Sequence, residues 1–143
     1  MRSAAHLELV RESVTTAANL AHERTLPILP DLAAMVPSGA LQRGSTLAVH
    51  GVGATSFALA LAGQAVREGS FMAVIAPPSF GLAACLDFDI PLRRVVQFVL
   101  PSNVENWAQA VAAVVDGFDV VLLADRHRVS NSQARQLLAR NRE

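Results

Sequence analysis

The place where this chain could do chemistry is Gly51-Val52-Gly53-Ala54-Thr55-Ser56. It follows the apolar run Thr46-Leu47-Ala48-Val49-His50 and opens a helical one, Phe57-Ala58-Leu59-Ala60. A glycine-rich turn between strand and helix aims backbone N–H groups at an anion, and hydroxyls such as those of Thr55 and Ser56 then reach a magnesium ion. A working phosphate loop of this kind reads G-x-x-x-x-G-K-[ST]. Here one residue separates Gly51 from Gly53, and Ala54 stands where lysine belongs. The chain has no lysine anywhere; all 12 of its basic residues are arginine, and none lies in or beside this loop. The geometry of a phosphate cradle is expected without its cation.

Other reactive residue types are sparse. Cys85, the single cysteine, lies among alanine and leucine and reads as core, with no internal disulfide possible. His50 ends an apolar run with no Ser or Cys nucleophile pattern near it, so it reads as a half-buried structural histidine. His127 falls between Arg126 and Arg128 in a charged stretch that reads as solvated. Thr55 and Ser56 read first as residues that begin or cap a helix. No metal site and no cofactor are expected.

Composition bounds the partners. A chain of 143 residues is one domain's worth, and 52% hydrophobic with 17% charged suits a packed interior rather than disorder. The 12 acidic and 12 basic residues cancel, so no global field favours nucleic acid. No apolar run reaches the roughly 18 residues of a membrane span, and the N-terminus is not patterned as a signal peptide. A cytoplasmic protein is expected.

The elements that must position the loop follow from periodicity. Residues 4–21 carry Leu7, Val10, Val14, Ala17 and Ala21 at helical steps, an amphipathic N-terminal helix set apart in residues 1–23. A Pro- and Gly-rich connector spans 24–45, with one helical turn at 31–36 for which Asp31 is a fair N-cap. Strands are expected at 46–50, 71–76, 95–99 and 118–124. Helices are expected at 55–67, 80–86, 104–115 and 133–140, the last with a capping box at Ser130-Asn131-Ser132-Gln133. Apolar strands alternating with helices read as a mostly parallel sheet covered on both faces, in a core spanning 24–143. The chain stops directly after a helix, which reads as a C-terminal truncation.

Several segments, in order, resemble a known family. They are Leu26-Pro27-Ile28-Leu29-Pro30, Val36-Pro37-Ser38-Gly39-Ala40-Leu41-Gln42-Arg43-Gly44-Ser45, Asp87-Phe88-Asp89-Ile90-Pro91-Leu92-Arg93-Arg94, Asn106-Trp107, and Arg128-Val129-Ser130-Asn131-Ser132-Gln133-Ala134-Arg135-Gln136-Leu137. Over about residues 24–140 this pattern resembles the RecA-like and SulA-like proteins, most closely the actinobacterial mutasome branch, the ImuA-prime proteins. The resemblance implies a RecA-like P-loop fold with strand order 1-4-3-2. It also locates three losses: Ala54 for the Walker lysine, Ala124 for the Walker B aspartate with Asp125 one position late, and Ala76-Pro77-Pro78 where a catalytic glutamate belongs. Without lysine, metal ligand and water activator, phosphoryl transfer has no machinery.

The function so implied is a non-catalytic accessory of SOS-induced error-prone translesion synthesis. Its implied partner is an ImuB-type inactive Y-family polymerase, and through it the sliding clamp and an error-prone replicative-type polymerase, at the nucleoid. Self-association is a further expectation, and direct DNA contact through the arginines near the C-terminus is left open. Candidate interface residues are Leu7, Val10, Val14, Trp107, Arg126, Arg128 and Arg135, although Trp107 reads first as core packing and the N-terminal helix first as folding back on its own core. Two alternatives stand beside this: a SulA-like inhibitor of cell division, and a regulator that retains nucleotide in the Gly51–Ser56 loop.

Overall fold

The computed structural model describes residues 24–100 and 106–124. Its centre is β3, Met72–Ile75, whose four residues are apolar and fully buried. A strand apolar on both sides must be covered on both sides. It pairs in parallel with β4, Val95–Phe98, and with β5, Val120–Leu123, giving the order β4-β3-β5. Strand alternation then splits the core into two layers. Met72 and Val74 meet Leu59, Ala62 and Val66, with Cys85 and Ile90 beside them. Ala73 and Ile75 meet Trp107, Val111 and Val114.

Two helices supply those layers. After the short turn α1, Pro30–Ala33, the first is α2, Ala54–Arg67, and the second is α3, Trp107–Gly117. Gly69, at φ +125, turns the chain out of α2, and Ser70 N–H donates to the Ala65 carbonyl across that turn. Gly63 lets α2 approach the 3-10 segment Leu82–Phe88: a Cβ there would lie 3.2 Å from the Phe88 carbonyl oxygen. Arg67 locks the same contact, donating to the Phe88 oxygen at 2.7 Å and to Gln64 Oε1 at 2.7 Å. A separate antiparallel ribbon, β1 (Thr25–Leu26) with β2 (Leu41–Gln42), precedes the sheet. No helix among the described residues is long and apolar enough to cross a membrane.

Several expectations are corrected. The order is not 1-4-3-2: the expected second strand, β3, is central, flanked by the expected third and fourth. It wins the centre because it alone is buried on both faces, whereas β4 exposes Val96. Residues 46–50 form no strand. They lie between Gly44 (φ +72) and Gly51 (φ +105), exposed except for half-buried Val49, and gain no ladder partner. The RecA-like P-loop fold is therefore not what the structure has. Asp31 does not cap its turn either; Leu29 is the N-cap and Pro30 takes the first helical position. The expected helix at 80–86 is the tighter 3-10 segment Leu82–Phe88, and the one at 104–115 is α3, beginning at Trp107. The N-terminal helix and the last helix lie outside the described residues.

Candidate functional site

The glycine turn does place a helix start where the sequence puts it. Gly51 and Gly53 have φ of +105 and +81, and Ala54 N–H donates to the Gly51 carbonyl at 3.2 Å. A Cβ on either glycine would meet nothing within 4 Å, so backbone conformation and not crowding requires glycine here. Thr55 and Ser56 sit in the first turn of α2 and are exposed. No side chain caps this end, and no acidic residue lies in its first turn. Val52 stands fully exposed at the tip of the turn.

A cavity of about 430 Å³ adjoins the turn, bordered by Met35, Leu47, Val49, His50, Val52 and Phe57. Its lining has no arginine, aspartate or glutamate. A phosphate there would meet backbone N–H groups and no counter-charge, and a bound metal would meet no carboxylate. Among the described residues no cluster of His, Cys, Asp and Glu is arranged to hold a metal ion. What this surface can do is contact: it is concave and open, and apart from His50 its side chains are apolar.

A second, larger cleft of about 710 Å³ lies between residues 41–49 and the outer side of β5, walled by α2 and α3. Its mouth is fixed by a long-range pair. Arg43 Nη1 lies 3.0 Å from Asp119 Oδ1, and the Phe71 N–H donates to Asp119 Oδ2 at 2.9 Å. The Phe71 N–H, more than the Arg43 guanidinium, holds the Asp119 carboxyl below the usual aspartate value, against a smaller opposing effect of burial. These two residues, 76 apart in sequence, carry no motif that sequence reading could have found. The only cue is an aspartate just before an apolar strand.

The other candidates fall as follows. Gly51, Gly53, Ala54, Thr55 and Ser56 come together at the start of α2, as a turn without ligating side chains. Trp107, read first as core packing and second as an interface anchor, is core: it is 1% exposed and packs on Ala73 and Ile75, so the interface reading is corrected. A side chain so enclosed is held by the core and has no surface to offer a partner. His50 is exposed, not half-buried, because its strand does not form. Cys85 is fully buried, and burial pushes its thiol up, away from reactivity. Ala124 closes the β5 ladder, donating to the Ile75 carbonyl at 2.9 Å. Leu7, Val10, Val14, Asp125, Arg126, His127, Arg128 and Arg135 lie outside the described residues.

Comparison with known proteins adds a family and little else. A family model, MT3502 N-terminal domain, matches residues 34–143. An uncharacterized protein of Mycobacterium tuberculosis, Rv3395c, is 29% identical over 92 residues, covering 64% of this chain and 44% of that protein. The chain thus aligns with under half the length of this relative. No solved structure matches, so nothing supports a RecA-like P-loop assignment against the strand order described above.

Proposed function

The chain belongs to the MT3502 N-terminal domain family, and from that footing we propose that it is a non-catalytic accessory protein acting by protein–protein contact. The observation that carries this is the cavity beside the Gly51–Gly53 turn: apart from His50 its side chains are apolar, with no carboxylate or guanidinium group, and Val52 is fully exposed. Met35 and Leu47 extend the same exposed apolar surface. Exposed apolar surface of this kind suits a partner better than a substrate phosphate.

The resemblance of the segments between residues 24 and 140 names the setting: an SOS-induced mutasome at the nucleoid. The partner is an ImuB-type polymerase relative, which links to the sliding clamp and the error-prone polymerase. A tagged full chain co-expressed with that partner should retain it on affinity purification. Val52→Asp should weaken retention at least tenfold, since a charge would replace an exposed apolar anchor. Its thermal unfolding should match the parent, because Val52 has no packing to lose. Failure to retain the partner sinks the mutasome assignment.

The non-catalytic part has its own test. Titration with magnesium-ATP by calorimetry should be silent to millimolar concentration. Micromolar binding would replace the accessory reading with a nucleotide-dependent regulator. Filamentation of cells on overexpression, without partner retention, would favour the SulA-like inhibitor instead.

A further inference from the structure

The outer edge of β5 is open and aimed into a cleft. Val120 N–H donates to the Phe71 carbonyl at 3.2 Å, and Ala124 N–H to the Ile75 carbonyl at 2.9 Å. Both bonds run toward β3, and along a paired strand successive residues turn their backbone groups to opposite sides. The N–H and C=O groups of Val121 and Leu123 therefore point away from β3, into the cleft of about 710 Å³. Among the described residues no strand pairs with this edge, and the Leu123 side chain is 41% exposed. An open edge as apolar as Val120-Val121-Leu122-Leu123 is a template for a further chain.

The cleft selects the form and the charge of what can lie there. Ala58 and Leu61 of α2 wall one side, and Val111 and Val115 of α3 wall the other. Outward backbone groups on two alternate residues match an extended segment of about five residues, at about 3.3 Å each. A helix, about 10 Å wide, cannot come within the roughly 4.8 Å that a neighbouring strand requires. Charged side chains border the cleft only at Arg43 and Asp119, and these already pair with each other at its mouth. The occupant is thus extended, uncharged where it is enclosed, and apolar toward both helices.

The chain's own segments supply no such occupant. Residues 41–49 are the opposite border of the cleft, so they frame the space rather than fill it. The stretch after β5 opens with Asp125, Arg126, His127 and Arg128, whose charges the apolar walls would leave unpaired. Residues 4–21 repeat their apolar positions at helical steps, not at the alternation of a strand. A second folded copy would bring a whole covered sheet edge, which the border at 41–49 keeps away from β5. What fits is a single extended stretch of another protein. The cleft is continuous with the place where the accessory reading seats one, because Leu47, Val49 and Ala54 border both it and the cavity at the glycine turn.

We propose that the partner docks by strand addition: an extended, uncharged segment of it lies along the outer edge of β5, bonds the backbone of Val121 and Leu123, and covers the Leu123 side chain. This rests on the accessory reading and states how the partner is held. The main-chain bonds hold the segment, and the two apolar walls select apolar side chains at its alternate positions.

Amide hydrogen exchange by NMR on the full chain, alone and bound to the co-expressed ImuB-type partner, tests this. In the chain alone Val121 and Leu123 should exchange at close to unstructured rates, and in the complex at least tenfold slower. Val74 should be protected in both. Val121→Pro removes an outward N–H and leaves the Val120 and Ala124 bonds to β3 in place, so partner retention should fall at least tenfold while β3 and β4 stay protected. If that variant loses β3 and β4, Leu123→Asp takes its place, setting a charge on the apolar edge at a side chain that is already exposed, with the same loss of retention expected. A retained partner that leaves Val121 and Leu123 unprotected would overturn strand addition and leave the accessory reading standing. Undiminished retention in a folded variant would do the same. Protection already present in the chain alone would also overturn it, with its own chain as occupant if the rate ignores concentration and a second copy if it does not. A partner that is not retained at all sinks both readings.

Discussion

Two apolar strand candidates of similar length meet opposite fates in this molecule. Met72–Ile75 is fully buried, bonded on both edges and covered on both faces. Residues 46–50 have an apolar centre, Leu47-Ala48-Val49, between Thr46 and His50, yet they are largely exposed and bonded into no sheet. The difference is more than propensity. Met72–Ile75 has a helix above and a helix below before any pairing is counted, whereas residues 46–50 hang from glycine hinges at the rim of a cleft. Strand formation here is decided by what covers the strand, which is how β propensity behaves in general.

The largest effect should come from stripping that cover. Trp107 is the bulkiest of the fully buried side chains and lies on Ala73 and Ile75. Trp107→Ala should cost about 3–5 kcal/mol of unfolding free energy, read by urea denaturation. Leu47→Ala, on the uncovered segment, should cost below about 1 kcal/mol by the same measurement, because Leu47 is already 39% exposed. Equal costs for the two would end the contrast.

A smaller effect sharpens the same point at the back of α2. Gly63→Ala forces a Cβ to within 3.2 Å of the Phe88 carbonyl and 3.3 Å of the Arg67 guanidinium. The Phe88 backbone or α2 must give by a few tenths of an ångström, at a cost of about 1–3 kcal/mol. An alanine is ordinarily the better helix former, so a stabilised Gly63→Ala would mean that this contact is loose. Gly53→Ala should cost about 1–2 kcal/mol for the opposite reason: its Cβ meets open space but its φ is +81. The two glycines separate crowding from backbone conformation, and thermal unfolding of each variant measures them.

That separation also marks what the sequence could and could not reveal. The runs behind β3, β4, β5 and α2 were legible because period and length agree with burial: Met72–Ile75 is apolar at every position, and Ala54–Arg67 ends beside Gly69. The glycine turn was legible too, since its positive φ needs glycine. The strand order was not, because order depends on which strand is covered on both faces, and no single strand states that. Residues 46–50 were misread for the same reason. Trp107 was ambiguous as a residue type, since tryptophan serves cores and interfaces alike; only its neighbours decide. Arg43 and Asp119 were invisible as a pair, being 76 residues apart and unremarkable alone.

That pair gives the smallest effect and the most direct probe of the boundary between the two regions. Asp119 bonds the Phe71 N–H, just ahead of β3, and holds Arg43, at the root of residues 46–50. Its carboxyl is held below the ordinary value of 3.8, so the folded state keeps the charged form at a pH where the unfolded chain begins to bind a proton. The stability it contributes is present above the unfolded value and is lost as pH falls through the lower folded one. The groups are over a third exposed, which limits the contribution to about 1 kcal/mol or less and makes it fade with salt. Asp119→Asn should therefore reduce stability slightly at pH 7 and flatten the acid limb below about pH 4 in urea titrations. Arg43→Ala should preserve most of that limb, because the Phe71 N–H is the larger cause of the shift. If Arg43→Ala instead abolishes it, the pair binds the two regions more tightly than the exposed geometry allows, and the uncovered segment is less free than its exposure implies.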